Sequence, residues 1–200
     1  MPDLRRLPWM VRYGYARKAA WWWRRNALLM THNHLDVEIS KGVAIGPRFD
    51  LWMPAAATLR IARGCEFRRD FILEIAPGGR VDMDERVIFT AAALVQISTT
   101  LTIGRRAVFG QSVMIADGNH KFRDHTQHLL DQGYDFRPIE IGENAIVTSK
   151  CTILNSIGKG AVIGANSVVT QPIPPYCLAV GAPARVVDYF GPEDQRPEGI

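Results

Sequence analysis

A repeat of six residues dominates this sequence. Between Ile141 and Thr170 an aliphatic residue opens each unit, and one unit of four residues, ILNS, breaks the count. The leading residues there are Ile141, Val147, Ile153, Ile157, Ile163 and Val169. A period of six fits neither the 3.6 of a helix nor the 2 of a strand, so the chain must turn every few residues and stack short strands into coils.

Small residues and glycines recur at fixed places in these units. The fifth position is held by Ala145, Cys151, Ala161 and Ser167. Glycine follows the leading residue at Gly142, Gly158 and Gly164, where we expect a corner whose backbone angles only glycine adopts cheaply. Asp84 takes that place in an earlier unit, and we expect it to tolerate the left-handed region.

The same pattern extends towards the N-terminus and defines the domain organisation. Its earlier leading residues are Ile39, Ile45, Leu51, Ile61, Phe67, Met83, Phe89, Val95, Leu101, Ile103, Phe109 and Ile115. We therefore expect an all-β domain of stacked coils over residues 35–190 and a loop extruded at residues 116–138, where the pattern stops. A helical N-terminal segment at residues 1–34 and a flexible tail at 191–200 complete the prediction.

The N-terminal segment carries the basic charge of the chain. Residues 1–30 hold seven arginines and lysines against Asp3, although the whole chain has a net charge of only +4, so the remainder is slightly acidic. Tryptophans and tyrosines lie among these cations, which suits an anionic membrane or a lipid-linked substrate. The alternative is a helix that packs its aromatics on the coils or on a neighbouring subunit while its arginines stay in water. The acidic remainder argues against nucleic-acid binding.

Cysteine usage and hydropathy predict a cytoplasmic protein, with membrane association through residues 1–30 as the open alternative. Cys65, Cys151 and Cys177 are far apart, and the first two hold small positions of the repeat, so we expect reduced, buried thiols. A signal peptide is not recognisable, and no apolar run reaches membrane-spanning length.

Two segments resemble the bacterial hexapeptide-repeat acyltransferases that acetylate maltose, galactosides and capsule sugars. SVVTQPIPPYCLAVGAPARVV (residues 167–187) is similar to the closing segment of that family, and MIADGNHKFRD (residues 114–124) resembles its catalytic-histidine loop. The resemblance implies a left-handed parallel β-helix, a homotrimer, an acyl-CoA co-substrate such as acetyl-CoA, no metal, and a saccharide or other small-molecule hydroxyl acceptor.

His120 is the catalytic residue that the resemblance implies. A neutral alcohol is a poor nucleophile, so its attack on a thioester needs a base, and imidazole can accept a proton near neutral pH. Asp117, Asn119 and Asp124 lie close in sequence, and we expect them to orient the imidazole or to bind substrate hydroxyls. Turn formation is the alternative for these residues.

Four further positions match the family's oxyanion and coenzyme A contacts. Ser149 aligns with a residue whose backbone amide stabilises the tetrahedral intermediate, and Ala165, Thr170 and Arg185 match coenzyme A contacts. The sequence departs from the family where Ile146 replaces a tryptophan, Thr148 a glycine and Asp188 a basic residue. These departures leave the shape of the acyl and acceptor pockets open.

Two other functions fit a fold of this kind. The γ-class carbonic anhydrases bind zinc with three histidines, and His120 and His125 have a suitable spacing, but residues 35–119 contain no histidine to complete the set. A non-catalytic scaffold is the second alternative, because a fold does not fix a function.

Overall fold

The computed structural model describes Pro8 and residues 10–197. The remainder of the predicted basic segment, including Arg5, Arg6 and Trp9, and the last three residues of the predicted tail lie outside the described residues. A π-helical segment, Met10–Tyr15, continues into helix α1 (Ala16–Thr31). Two short 3-10 helices span Leu129–Asp131 and Glu193–Gln195.

The remaining regular structure of the described chain consists of short strands. They are β1 (Asp36–Ile39), β2 (Ala44–Ile45), β3 (Asp50–Trp52), β4 (Thr58–Ile61), β5 (Glu66–Phe67), β6 (Ile72–Ile75), β7 (Arg80–Met83), β8 (Ile88–Phe89), β9 (Leu94–Ile97), β10 (Thr100–Ile103), β11 (Val108–Phe109), β12 (Met114–Ala116), β13 (Gly118–His120), β14 (Tyr134–Phe136), β15 (Ile139–Ile141), β16 (Ile146–Val147), β17 (Thr152–Ile153), β18 (Val162–Ile163), β19 (Val168–Val169), β20 (Cys177–Gly181) and β21 (Ala184–Tyr189).

These strands wind into a stack with three sides. Sheet A contains β1, β4, β7, β10 and β15, sheet B contains β2, β5, β8, β11, β16, β18, β20 and β21, and sheet C contains β3, β6, β9, β12, β17 and β19. Every pair within these sheets is parallel except the closing hairpin of β20 and β21. Strands that follow one another along the chain thus belong to sheets A, B and C in turn. The predicted parallel β-helix of hexapeptide repeats is confirmed.

The core is a column of leading residues inside the three sheets. All the leading residues named above are buried, and the small fifth-position residues are buried with them. Phenylalanines repeat at one place in sheet B, where the rings of Phe89 and Phe109 stack with centroids 4.2 Å apart. Parallel register stacks identical positions over one another, so a hydrophobic leading residue in each unit is enough to make the core continuous.

The expected reason for the glycines at the second position was wrong. The left-handed backbone conformation lies at the fourth position instead, for example at Arg86 (φ 61°) and Asn144 (φ 57°), and Asp84 does not adopt it. Gly142 is required for space, because a Cβ there would lie 2.3 Å from the backbone nitrogen of Lys159 in the next coil. In this unit the next coil thus approaches the second position too closely for a side chain.

Helix α1 covers the first coil of the stack. Leu28 and Leu29 pack against the buried core, and the Arg25 guanidinium donates to the carbonyls of Ile39 and Ser40. Two exposed tryptophans of this helix, at positions 22 and 23, are 62% and 68% accessible. Within one chain, arginines thus bind the helix to the coils and these two tryptophans face outwards, whereas Trp21 is half-buried beside the first coils. No described helix has the length and apolarity needed to cross a membrane.

The three cysteines are free and buried, as expected. The Cys65 thiol donates to the carbonyl oxygen of Asp84 at 3.1 Å, and burial raises the pKa of this thiol to about 11. A buried thiol with so high a pKa is a packing residue, because the reactive form of cysteine is the thiolate.

Candidate functional site

The predicted loop leaves the stack as a hairpin at the corner between sheets C and A. After β12 the chain enters β13, which pairs in antiparallel fashion with β14 and places His120 opposite Tyr134. The parallel pairing of β10 with β15 closes this longer coil, with Leu101 opposite Ile139. An insertion at a corner disturbs no strand of the stack, so the coils on both sides stay rigid around it.

His120 occupies a defined place on this hairpin. Its ring is half-buried and packs against that of Tyr134 with centroids 4.2 Å apart. The Nδ1 atom is shielded and has no hydrogen-bond partner among the described residues, whereas Nε2 is not shielded in this way. The side chain borders a cavity of about 370 Å³, which is lined by Lys121, Phe122, Arg123, Asp124, Gln127, Gln132 and Asp135 as well as by His120 itself.

Asp117 fastens the base of the hairpin and does not contact His120. Its carboxylate is 3% exposed and accepts hydrogen bonds from the backbone N–H groups of Ser98 and Thr99, at 2.9 and 2.6 Å, and from the Thr99 hydroxyl at 2.7 Å. The structure therefore assigns this carboxylate to the turn between β9 and β10 rather than to the imidazole.

The other two predicted loop residues lie on different sides of the hairpin. Asn119 is exposed, and as the neighbour of His120 in β13 it faces the opposite side of the strand. Asp124 borders the same cavity as His120 and accepts hydrogen bonds from the Thr126 hydroxyl at 2.6 Å and from the Gln127 amide at 2.9 Å. The bond from Thr126 keeps the pKa of Asp124 below its ordinary value, so an ionised carboxylate lies on the wall of this cavity.

Ser149 and Ala165 lie next to each other at the corner between sheets B and C. The pairing of Val147 with Ile163 sets them one coil apart, and the Asn166 N–H donates to the Ser149 carbonyl at 3.1 Å. The Ser149 hydroxyl accepts from the Gln111 N–H at 3.1 Å. Among the described residues, the backbone N–H groups of Ser149 and Ala165 donate to no acceptor of their own chain. Neither amide is thus committed to an acceptor among the described residues.

Thr170 and Arg185 lie towards the C-terminal end of the stack. Thr170 directly follows β19, and its carbonyl accepts from the Asn155 amide at 3.2 Å. Arg185 lies in β21 opposite Val180 and is exposed, with one guanidinium bond to the carbonyl of Ala184. A cation in this position is accessible to an anionic ligand that extends from the Ser149 corner.

One chain does not bring all the predicted site residues together. His120 and Asp124 lie on the hairpin at the corner between sheets C and A, whereas Ser149 and Ala165 lie at the corner between sheets B and C. Sheet C separates the two groups. A reaction that uses both groups needs surfaces from two copies of the chain.

Sequence reasoning did not single out Tyr134. Its ring packs against His120 and also stacks on Phe136, at centroid distances of 4.2 and 5.3 Å. The alternating aromatic residues of YDF are typical of a strand, and this pattern could have indicated a strand at Tyr134 inside the polar loop. Among the described residues, no cluster of three or more His, Cys, Asp or Glu side chains could hold a metal ion.

Solved structures of hexapeptide-repeat acetyltransferases have the same architecture as this chain. The hexapeptide-repeat acetyltransferase VCA0836 from Vibrio cholerae, solved in complex with acetyl coenzyme A, superposes with a TM-score of 0.57 at 22% identity, over 84% of this chain and 78% of that one. The chain has the fold of the hexapeptide-repeat acyltransferases. No family model matches the sequence.

Sequence relatives confirm the predicted resemblance. The chain is 29% identical over 187 residues to the probable acetyltransferase Rv3034c of Mycobacterium tuberculosis. The aligned region covers 90% of this chain and 57% of that protein. It is 35% identical over 98 residues to galactoside O-acetyltransferase of Escherichia coli, over 48% of this chain and 47% of that protein. The chain thus spans about half the length of the curated relatives that it matches.

Proposed function

We propose that this protein transfers an acyl group, acetyl in the simplest case, from coenzyme A to a hydroxyl of a saccharide or glycoconjugate. The observation that carries the proposal is His120, a half-buried imidazole on a hairpin extruded from the repeat, beside a cavity with an ionised carboxylate. Relatives that are named acetyltransferases, one of them a galactoside O-acetyltransferase, support the reaction class and the hydroxyl acceptor.

His120 is the general base in this proposal. Its unshielded Nε2 accepts the proton of the acceptor hydroxyl as the hydroxyl oxygen forms a bond to the thioester carbonyl carbon. Asp124, on the rim of the same cavity, is placed to accept a hydrogen bond from another hydroxyl of the sugar. When the tetrahedral intermediate collapses, the carbon–sulfur bond breaks and the imidazolium returns its proton to the departing thiolate.

The free N–H group of Ser149 is the proposed donor to the oxyanion. A preorganised amide at this point stabilises the negative charge that the carbonyl oxygen acquires during attack. Ala165 and Thr170 follow along the same corner, and Arg185 lies beyond them, which gives the arm and the phosphates of coenzyme A a path towards the C-terminal end of the stack.

The proposed active site lies between subunits of a homotrimer. One observation on the single chain supports this arrangement. His120 and Ser149 lie at different corners of the stack, on either side of sheet C. A neighbouring subunit placed against sheet C would bring a second copy of one corner to the other.

The substitution His120→Asn tests the proposal. Asparagine keeps a polar side chain of similar reach and removes the base, so turnover should fall by about 10² to 10⁴ while coenzyme A affinity and the melting temperature stay close to wild type. The measurements are thiol release from acetyl-CoA with a panel of glycans, and coenzyme A binding by calorimetry.

His125→Asn is the matched control, because His125 belongs to the same loop and does not border the cavity. We expect it to retain wild-type turnover. Near-normal transfer by the His120 variant would reject the assigned base. A wild-type protein that binds no coenzyme A would reject the transferase and leave the non-catalytic scaffold.

A further inference from the structure

A second cavity lies between helix α1 and the corner that joins sheets B and C. Its volume is about 560 Å³, and we call it the arginine groove because Arg17, Arg24, Arg68 and Arg69 line it. Glu66 is the one acidic residue among those that line it. The helix that covers the first coil thus also forms a wall of this groove.

Positive charge in the groove exceeds the negative charge around it. Glu66 forms ion pairs with Arg17 at 3.4 Å and with Arg68 at 3.0 Å, and the one carboxylate among the described residues that pairs with Arg69 is Asp70, at 3.9 Å. Asp70 itself accepts two hydrogen bonds from Arg48 outside the groove. Several guanidinium groups held close together repel one another, so the groove favours a ligand of multiple negative charge.

A buried hydroxyl without a partner lies in the same groove. The Thr90 side-chain oxygen is shielded and makes no hydrogen bond with the described residues, although Thr90 lines the cavity beside the arginines. A buried polar atom usually has a partner, because burial without one costs free energy. A hydroxyl donor among guanidinium forks suits the oxygens of a phosphate group.

The groove continues the corner on which Ser149 lies. Stacked pairs place Phe67, Phe89, Phe109 and Val147 one above another, so the residues that follow them form a single column from Arg68 through Thr90 to Thr148. With adjacent strands about 4.8 Å apart, Arg68 lies roughly 14 Å from the Ser149 corner. Arg185, assigned to coenzyme A, lies at the opposite end, so the groove is on the acceptor side of the reacting carbonyl.

We propose that the arginine groove binds a phosphate group carried by the acceptor, so that the acceptor is a sugar linked to a phosphate ester or diphosphate. The proposal rests on the transferase function proposed above, which supplies the acceptor. The phosphate holds one end of the acceptor against Arg68, Arg69 and Thr90, and the sugar extends along the corner towards Ser149 of the same chain and the hairpin of its neighbour.

Calorimetry with inorganic pyrophosphate tests the site without any turnover. The double variant Arg68→Gln with Arg69→Gln should bind pyrophosphate roughly tenfold more weakly or worse, because charge-assisted hydrogen bonds are lost. Arg105→Gln is the control, since Arg105 holds the same position in its unit as Arg69 but lies at the corner between sheets A and B. Equal pyrophosphate affinity in wild type and in both variants would overturn the proposal.

Thr90→Val separates a ligand role from a structural one. Valine keeps the shape of the side chain, and the hydroxyl has no partner to lose within the part of the chain that the structure describes, so the melting temperature should hold while pyrophosphate affinity falls several-fold. A lowered melting temperature with unchanged pyrophosphate affinity would contradict a ligand role for this hydroxyl.

Saturating coenzyme A distinguishes the groove from the donor site. Pyrophosphate that still binds in its presence supports a separate acceptor site, and pyrophosphate displaced by coenzyme A overturns it. Coenzyme A binding by itself reports on the proposed function. A protein that binds pyrophosphate in the groove but does not bind coenzyme A would contradict the transferase function and still support the phosphate site in the groove.

Two further titrations identify the source of the phosphate. Uridine diphosphate represents a nucleotide-linked acceptor, and phosphatidylcholine vesicles with and without phosphatidic acid represent a lipid-linked one, to which the exposed tryptophans of α1 would be adjacent. Whichever probe binds should bind more weakly to the Arg68 and Arg69 double variant. Failure of both probes to bind wild type, or tighter binding of glucuronate than of either phosphate, would overturn the assignment.

Discussion

At the scale of the residue, the second and fourth positions of a unit such as the one that begins at Ile141 have different requirements. The fourth position takes a left-handed backbone with many residue types, among them Asn144 at φ 57° and Lys150 at φ 60°. The second position admits little beyond a hydrogen at units such as that of Gly142, because the next coil lies directly against it. Glycine is needed at Gly142 because the next coil leaves no room for a Cβ. The positive φ of the corner occurs two residues later, at Asn144.

A pair of substitutions in one unit tests this division. Gly142→Ala should lower the free energy of unfolding by about 1–3 kcal/mol, because the new Cβ would lie 2.3 Å from the Lys159 nitrogen and the coils must separate. Asn144→Gly should leave stability close to wild type, since glycine adopts a positive φ without strain. Urea denaturation of both variants gives the comparison, and equal losses would contradict the argument.

The role of the Ser149 amide can be tested through proline. Pro47, Pro77 and Pro175 hold the same third position in other units, so the coil accepts a residue without an N–H there. Ser149→Pro should therefore fold and reduce turnover by about 10² to 10³, the cost of one oxyanion donor.

Ser149→Ala is the control for that substitution. It removes the hydroxyl that accepts from Gln111 and keeps the amide, so most of the activity should remain. Comparable turnover in the two variants, measured as thiol release from acetyl-CoA, would exclude the amide as the oxyanion donor.

At the scale of the element, helix α1 ends the stack. A coil without a neighbour exposes its core and leaves strand-edge backbone groups unpaired, which invites end-to-end association. Leu28 and Leu29 cover the core at this end, and Arg24 and Arg25 donate to carbonyls of the first coil. Arginine side chains therefore join Leu28 and Leu29 in holding this helix to the stack.

Arg25→Met tests the cap. The methionine keeps an apolar stem and loses the bonds to the Ile39 and Ser40 carbonyls at 3.0 and 2.9 Å, so the free energy of unfolding should fall by about 1–3 kcal/mol. Lys18→Met, an exposed substitution on the same helix, should change stability little. Thermal denaturation and light scattering would detect both the loss and any self-association, and matching behaviour of the two variants would exclude the cap.

At the scale of the whole molecule, the proposed active site is divided between subunits. His120 lies at the corner of sheets C and A and Ser149 at the corner of sheets B and C, so the proposal takes one residue of the catalytic pair from each of two subunits. The proposal therefore makes activity depend on assembly, which a site contained in one chain would not do.

Mixed assemblies test the divided site. The His120→Asn and Ser149→Pro chains should each be nearly inactive alone. When unfolded together and reassembled in equal amounts, roughly a quarter of the interfaces should combine a native His120 with a native Ser149 and regain activity.

Two outcomes would contradict the divided site. Absence of any recovery, with mixed assembly shown by mass spectrometry, would place both groups in one subunit. A monomer at micromolar concentration by light scattering would remove the interface altogether.

The sequence by itself determined the repeat and therefore the β-helix. A leading aliphatic residue every six positions is a local signal that is independent of distant parts of the chain, and stacking turns it into a continuous core. The same regularity made the hairpin visible, because a polar stretch of charged residues cannot supply leading residues. His120 and Ser149 were predicted from short motifs inside these two patterns, and their roles stay predictions.

Tertiary structure alone decided where these residues lie relative to one another. Ser149 meets Ala165 because coils stack in register, Asp117 meets the Ser98 turn rather than His120, and the arginines of α1 meet Arg68 and Arg69 in a groove. Contacts across coils and between helix and stack depend on which corner each insertion leaves and how closely the coils approach. That information lies in three-dimensional packing distances, which a pattern of residue types along one chain does not contain.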